Sequence, residues 1–477
     1  MDNSNTALTH TGPYFFCGIG GSGMLPLALI VKARGHDVEG SDRSLDAGRT
    51  AAKFDFLRSR GIGLHPQDGS GLTSADQLLV TSAAVEDSVP DVVAAKRLGC
   101  PQVTRPQLLA QLVNTANVSV AVGGTSGKST TTGMIGWILY AARRDPTVMN
   151  GAVMKNFVAA DAPFTSAIVG EGDIFVSEVD ESDGSIALYN PTIAVLNNIA
   201  LDHKSMDELR RLFRSFVAKA QVAVLNLDND ETRLLADEID QAGKLTYSLT
   251  DSTADFSISD LVTQVDGQSC IVTEKSTGER ARICLQAPGR HNLSNGLAAI
   301  AAARACGLGL REATVALMNF VGIRRRLEVV GTANDITVID DFGHNPDKIA
   351  ATLATLHQFP GRLLVMWQPH GYGPIRQMKD QFIEMFARDL GPQDVLLMPE
   401  PAYFGGTVDR SMGSNVIAEG VTARGGTAAA LHDRSACGDR LVELARPGDV
   451  IVVMGARDDT LSEFAGDILR RVGEKSF

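Results

Sequence analysis

Positive charge is in deficit in this chain. It carries 44 Lys and Arg against 56 Asp and Glu, a formal net charge of −12. That balance excludes a broad nucleic-acid or anionic-membrane surface, since both need clustered cations. Small phosphorylated ligands are not excluded, because local backbone N–H groups hold them. Paired cysteines are lacking too. Cys17, Cys100, Cys270, Cys284, Cys306 and Cys437 are scattered and form no CxxC, which argues against a structural zinc site and reads as reduced thiols of a cytoplasmic protein. No apolar run approaches the ~18–20 residues of a membrane span. The opening MDNSNTALTHTGP has neither the basic nor the apolar region of a secretory leader. Aromatics are scarce, at 5%, while glycines number 47, a mix that suits an α/β enzyme rich in tight strand-to-helix turns.

What is present is alternation. YFFCGIGGSGM reads as strand, glycine turn and helix start, DQLLVTSAAV as a strand, and QLLAQLVNTA as a helix. VSVAVGG then opens a second unit, with later strands at SAIVG, DIFVSEVD, TIAVLNNI and AVLNLD. Alternating residues from Phe256 to Gln286 predict added β-hairpins, and a helix near His291 closes the unit. ITVIDDFG, RLLVMWQPH, DVLLMPE and DVIVVMGA supply strands for a third. The expected fold is α/β with three domains: a Rossmann-like domain over 1–117, a central P-loop ATPase-like domain over 118–321, and a C-terminal Rossmann-like domain over 322–477.

The most chemically informative run is Gly124-Thr125-Ser126-Gly127-Lys128-Ser129-Thr130, after a strand and before a helical stretch. Its glycines let successive N–H groups turn toward phosphate oxygens, and the helix N-terminus adds partial positive charge. Lys128 would reach the β/γ-phosphates of ATP, and Ser129 or Thr130 would ligate Mg²⁺. The run departs from GxxxxGKS, which would place a glycine at Val122, so it marks a variant of the loop rather than a GTPase. Glu178, Asp180, Glu181 and Asp183 crowd the end of the next apolar strand, where a metal bound to ATP would compensate their repulsion. A further strand ends in Asp202 and His203, and a neutral imidazole is a competent ligand. Glu178 and His203 are therefore the expected protein ligands of a second Mg²⁺.

Upstream, Gly18, Gly20, Gly21, Ser22, Gly23 and Met24 form a GxGxxG-type turn, with Ser41 and Asp42 about 20 residues on, the spacing of the dinucleotide fingerprint. Alone, that turn would suit an oxidoreductase, but such a protein would leave GTSGKST unexplained. GTSGKST, EVDESD, NNIALDH, PGRHNLSNGLAAI, RRRLE and IDDFGHNP, in that order over nearly the whole chain, resemble the Mur ligase family. The resemblance implies an ATP-dependent ligase that activates a carboxylate as an acyl phosphate and joins it to an amine. It implies that Lys128 and Arg326 contact phosphate, that Glu178 and His203 hold magnesium, that His291, Asn292 and Asn295 lie near adenine, and that Asp341 contacts the ribose. The intact Lys128, Glu178, His203 and Arg326 argue against a regulator that has lost catalysis.

The same resemblance makes the first glycine turn a cradle for the diphosphate of UDP-N-acetylmuramate, with Ser82 of TSAAV nearby. It places an amino acid or short peptide near His344, His370 and Arg376. Two acceptors remain open. GIGGSGM and VMWQPHGYG resemble members that add L-alanine, the preferred reading. RRRLEVVGTANDITVIDDF resembles members that add a preformed tripeptide during recycling. Gly371, Pro374 and Asn345 depart from the alanine pattern, so an altered acceptor is a further alternative. DELRRLFRSF offers no lysine for carbamoylation, and none is expected.

Overall fold

The computed structural model describes residues 10–83, 85–201, 204–240, 243–264, 267–402, 409–456, 458 and 460–475. These form two compact units, Met1–Ile323 and Arg324–Phe477.

Two sheets build the first unit. The first holds β1 (Tyr14–Cys17), β2 (Val38–Ser41), β3 (Gly63–His65), β4 (Leu78–Thr81) and β5 (Gln102–Thr104) in the order β3-β2-β1-β4-β5. All its pairings are parallel. Tyr14, Phe15, Phe16 and Cys17 are all buried, as expected of a strand covered on both faces. The strand order reverses beside β1, so the glycine turn that follows it opens at a topological switch point, where such sheets bind ligands.

The second sheet comprises β6 (Val118–Gly123), β7 (Thr147–Met149), β8 (Ala167–Ile168), β9 (Ile174–Glu178), β10 (Ile193–Leu196), β11 (Val222–Asn226), β12 (Lys244–Ser248), β13 (Phe256–Gln264), β14 (Gly267–Glu274) and β15 (Arg280–Leu285). Its order is β15-β14-β13-β12-β11-β10-β6-β9-β7-β8. β13, β14 and β15 pair antiparallel, as the hairpin pattern predicts. The central strands are parallel, with β6 between β10 and β9. This order puts the phosphate loop after β6 between the acidic end of β9 and the asparagines that end β10. Val120, Ala121, Val122, Val176 and Val195 are fully buried. Each of these valines contributes ~1.5–3 kcal/mol of burial relative to exposure, which anchors the sheet under the loop.

The second unit carries β16 (Glu328–Ala333), β17 (Ile336–Asp341), β18 (Leu363–Gln368), β19 (Val395–Pro399), β20 (Ala428–Leu431) and β21 (Val450–Gly455), ordered β16-β17-β21-β18-β19-β20. Only the edge strand β16 is antiparallel. The architecture is the expected α/β fold, with parallel sheets at its core.

Candidate active site

The phosphate loop joins β6 to the helix Lys128–Ala141. Gly124 and Gly127 hold φ values of +128° and +83°, a region that side chains with a Cβ disfavour. A methyl at Gly127 would also overlap the Asn295 carboxamide, so the helix Arg290–Ala305 reaches the loop through that residue. Asn292 instead turns back, donating from Nδ2 to the Pro288 carbonyl at 2.7 Å. His291 lies in the first turn of the same helix.

Four residues of the loop are engaged by neighbouring strand ends. Lys128 Nζ donates to the Gly124 carbonyl (2.7 Å) and to both oxygens of Glu181 (2.8 and 3.1 Å). Ser129 Oγ donates to Glu178 Oε2 at 2.7 Å. The Ser126 amide donates to Asn198 Oδ1 at 2.9 Å, while Asn198 and Asn197 both donate to the Ser126 carbonyl. Thr125 exchanges hydrogen bonds with Ala200 through its hydroxyl. Thr130 is nearly buried in the first turn of the helix.

The four acids divide by role. Glu178 and Glu181 face the loop. Asp180 accepts the Ser182 amide and Asp183 the Ser185 amide, each closing a turn. Burial opposes ionisation of Asp180, but the Ser182 hydrogen bonds and the charges of Lys128 and Arg105 outweigh it and hold its carboxyl below the ordinary range. Glu178 and the Ser129 hydroxyl offer paired oxygen donors of the kind a hard divalent cation takes, so these residues fit Mg²⁺. His203 and Asp202 lie outside the described residues.

In the first turn, Gly18 (φ +82°) and Ile19 donate to the Ser41 carbonyl. Asp42 accepts the Gly20 amide at 2.9 Å and the Ser44 amide at 2.7 Å. Its carboxylate therefore shapes the turn. The buried Ser41 hydroxyl donates to Asp91, so Ser41 supports the turn from behind. Gly21 and Ser22 are exposed at the tip, Met24 is in the core, and Ser82 is half-buried after β4. Arg105 is a residue the motif reading missed. A methyl at Gly23 would stand 3.0 Å from its Cδ, and its guanidinium lies 3.9 Å from Asp183. It thereby links the glycine turn to the acidic strand end.

In the second unit, Arg326 and His344 pack on Phe342, and His370 packs on His344. Arg326 lies over the Phe342 ring at 4.6 Å, and the two histidine rings stand perpendicular at 5.3 Å. Arg325, not Arg326, is the buried arginine of RRRLE. It meets Asp340, the Gly455 carbonyl and the Asp458 carbonyl. Asp341 is buried with its carboxylate occupied, accepting from the Leu327 amide, the Gly343 amide and the Thr352 hydroxyl. Arg376 pairs with Asp409 at 2.7 Å on a partly exposed surface, an interaction worth little and easily exchanged.

Burial, reinforced by Lys348, His370 and Arg326, pushes the His344 pKa down to about 3 against a backbone hydrogen bond to Phe342. The unfolded chain takes up this proton near pH ~6.5, whereas the folded chain does not. Stability therefore falls as pH drops below ~6.5. The melting temperature of wild type is expected to fall more steeply between about pH 7.5 and 5 than that of His344→Gln. Parallel curves from calorimetry would refute this.

Comparison with known proteins settles the class. The chain matches the Mur ligase family, catalytic domain, over residues 13–117, the Mur ligase middle domain over 122–303 and the Mur ligase, glutamate ligase domain over 325–457. The chain belongs to the Mur ligase family. It is an ATP-dependent enzyme that forms amide bonds. Among its relatives, the UDP-N-acetylmuramate–L-alanine ligase of Agrobacterium fabrum is 33% identical over 94% of this chain and 95% of its own. That of Magnetococcus marinus is 35% identical over 93% and 94%. The solved UDP-N-acetylmuramate–alanine ligase of Thermotoga maritima matches with a TM-score of 0.77 at 24% identity, covering 97% of this chain and 99% of that one, a likeness of fold. A murein peptide ligase from Psychrobacter arcticus matches with a TM-score of 0.72 at 25% identity, over 98% and 100%.

Proposed function

We propose that this enzyme joins L-alanine to UDP-N-acetylmuramate in the cytoplasm, as a step of peptidoglycan synthesis. The observation that carries the ATP half is the constellation of Lys128, Ser129 and Glu178 at the C-terminal ends of the neighbouring strands β6 and β9. The relatives at 33–35% identity over nearly the whole chain support the sugar nucleotide and the amino acid. Residues 1–117 would hold the sugar nucleotide at Gly18–Met24, 118–321 the ATP, and 322–477 the amine.

In this reading the sugar carboxylate attacks the γ-phosphorus, giving an acyl phosphate and ADP. The amine then attacks the acyl carbon, giving an amide, inorganic phosphate and a proton. Lys128 and the loop amides neutralise and orient the phosphates, which is most of what phosphoryl transfer asks of a protein. Ser129, Thr130, Glu178 and His203 would hold Mg²⁺, which supplies further charge neutralisation. Arg326 is proposed to act on the γ-phosphate and Asn295 on the adenine side. Neutral His344, with His370, is proposed to meet the amine.

A tripeptide acceptor is the alternative. Gly371 sits at φ +145° and a Cβ at Gly373 would meet nothing, so this stretch leaves room for a larger amine. Phosphate release from ATP, Mg²⁺ and UDP-N-acetylmuramate is the test, with L-alanine and L-Ala-γ-D-Glu-diaminopimelate compared as acceptors. L-alanine is expected to give the higher kcat/KM, and Arg376→Ala to raise the KM for it. A clear preference for the tripeptide would overturn the assignment, and an unchanged KM would remove Arg376 from the amine site.

A further inference from the structure

The donors of the phosphate loop are engaged by the protein's own acceptors. Lys128 keeps its bond to the Gly124 carbonyl, within the loop, and spends the rest of its charge on Glu181. The Ser126 amide, one of the donors that such loops turn toward phosphate, is taken by the Asn198 carboxamide oxygen. One of these acceptors is a carboxylate from the β9 end, the other a neutral oxygen from the β10 end, so two different strands supply them. Glu181 is only 4% exposed. It does not close a turn with its carboxylate, as Asp180 and Asp183 do.

We infer that Glu181 and Asn198 are stand-ins for nucleotide phosphate, and that Glu181 is a positioning residue which tunes ATP entry and ADP release through Lys128. This rests on the reading that GTSGKST holds ATP. A phosphate arriving at Lys128 must compete with a carboxylate already bidentate on the same ammonium. It must also take the Ser126 N–H from Asn198. Nucleotide binding is therefore an exchange of acceptors rather than the filling of bare donors. The same exchange in reverse helps ADP leave, because Glu181 returns to Lys128 as phosphate departs. The arrangement also discriminates by charge and reach. A single small anion replaces one stand-in, whereas a nucleotide polyphosphate replaces both.

Glu181→Gln keeps the size of the side chain and an acceptor oxygen but removes the charge. Calorimetry with ADP in EDTA reads the effect without metal or turnover. Glu181→Gln is expected to bind ADP about five- to tenfold more tightly than wild type, because a competing anion has gone. Asn198→Ala is expected to tighten binding by a smaller factor, and Glu181→Asp to return toward wild-type affinity. In ligation assays Glu181→Gln should lower the KM for ATP, lower kcat and strengthen product inhibition by ADP. A purely structural Glu181 would lower the melting temperature without raising affinity. Unchanged or weaker ADP binding by a folded Glu181→Gln would overturn the inference. Wild-type ADP binding that Lys128→Ala leaves untouched would instead show that the loop itself is misread, and the inference would fall with it.

Discussion

Lys128→Ala is expected to lower turnover by ~10²–10³, the usual cost of removing one charged contact to the transition state. The ammonium sits at the start of the helix Lys128–Ala141, between the Gly124 carbonyl and Glu181, where it would face the β/γ-phosphates. The substitution has a second consequence. It strips Glu181 of its cation, and a buried carboxylate left without a partner costs on the order of 1–3 kcal/mol. The single variant should therefore be both inactive and less stable. The double variant Lys128→Ala/Glu181→Gln separates the two effects. Its melting temperature should recover toward wild type while turnover stays lost. Phosphate release and thermal melting of wild type, single and double variants make the check. Recovery of turnover in the double variant would mean that Lys128 serves only to neutralise Glu181.

The phosphate loop was legible in the sequence because its requirements are local. Positive φ demands glycine at Gly124 and Gly127, and the flanking strand and helix follow from apolar periodicity. The acids at the end of β9 were legible as a group but not one by one. Whether a carboxylate faces the loop or closes a turn depends on backbone angles that spacing does not reveal, so Glu181 and Asp183 looked alike. The same limit hid the division within RRRLE. Arg325 is buried against Asp340, and only the register of the chain separates it from Arg326. Asp341 stands at the end of a strand as a ligand-binding acid would, yet its oxygens are spent on Leu327, Gly343 and Thr352.

Strands at sheet edges were the harder elements to read. β16 is antiparallel and largely half-buried, and β20 is Ala428–Leu431, three alanines and a leucine. Neither shows the β-branched apolar run that marks a central strand. Arg105 belongs to no motif, and Asn197 and Asn198 open NNIALDH without that motif revealing their contacts with the loop. Their importance comes from strand order, which places β5, β9 and β10 around the two glycine turns, and strand order is a tertiary property.

Gly151→Ala is expected to lower turnover by ~10² or more, comparable to losing a principal electrostatic contact, although Gly151 lies outside every motif. Gly151 follows β7 and Asn150, whose side chain donates to the Ser129 carbonyl at 2.9 Å. Its φ is not positive, so alanine fits the backbone there. The added methyl would nevertheless collide with Glu178 Oε1. Glu178 must then swing away from the Ser129 hydroxyl, which it accepts at 2.7 Å. That parts the two oxygen donors proposed for Mg²⁺, so the variant should need more Mg²⁺ for half-maximal turnover. ADP affinity measured in EDTA should stay near wild type, since Lys128 and the loop amides are untouched. Glu178→Ala and Gly151→Ala act on one interaction and should not add, as expected of residues in contact. A Gly151→Ala variant with a normal Mg²⁺ requirement, or losses that multiply in the double variant, would remove Glu178 from the metal site.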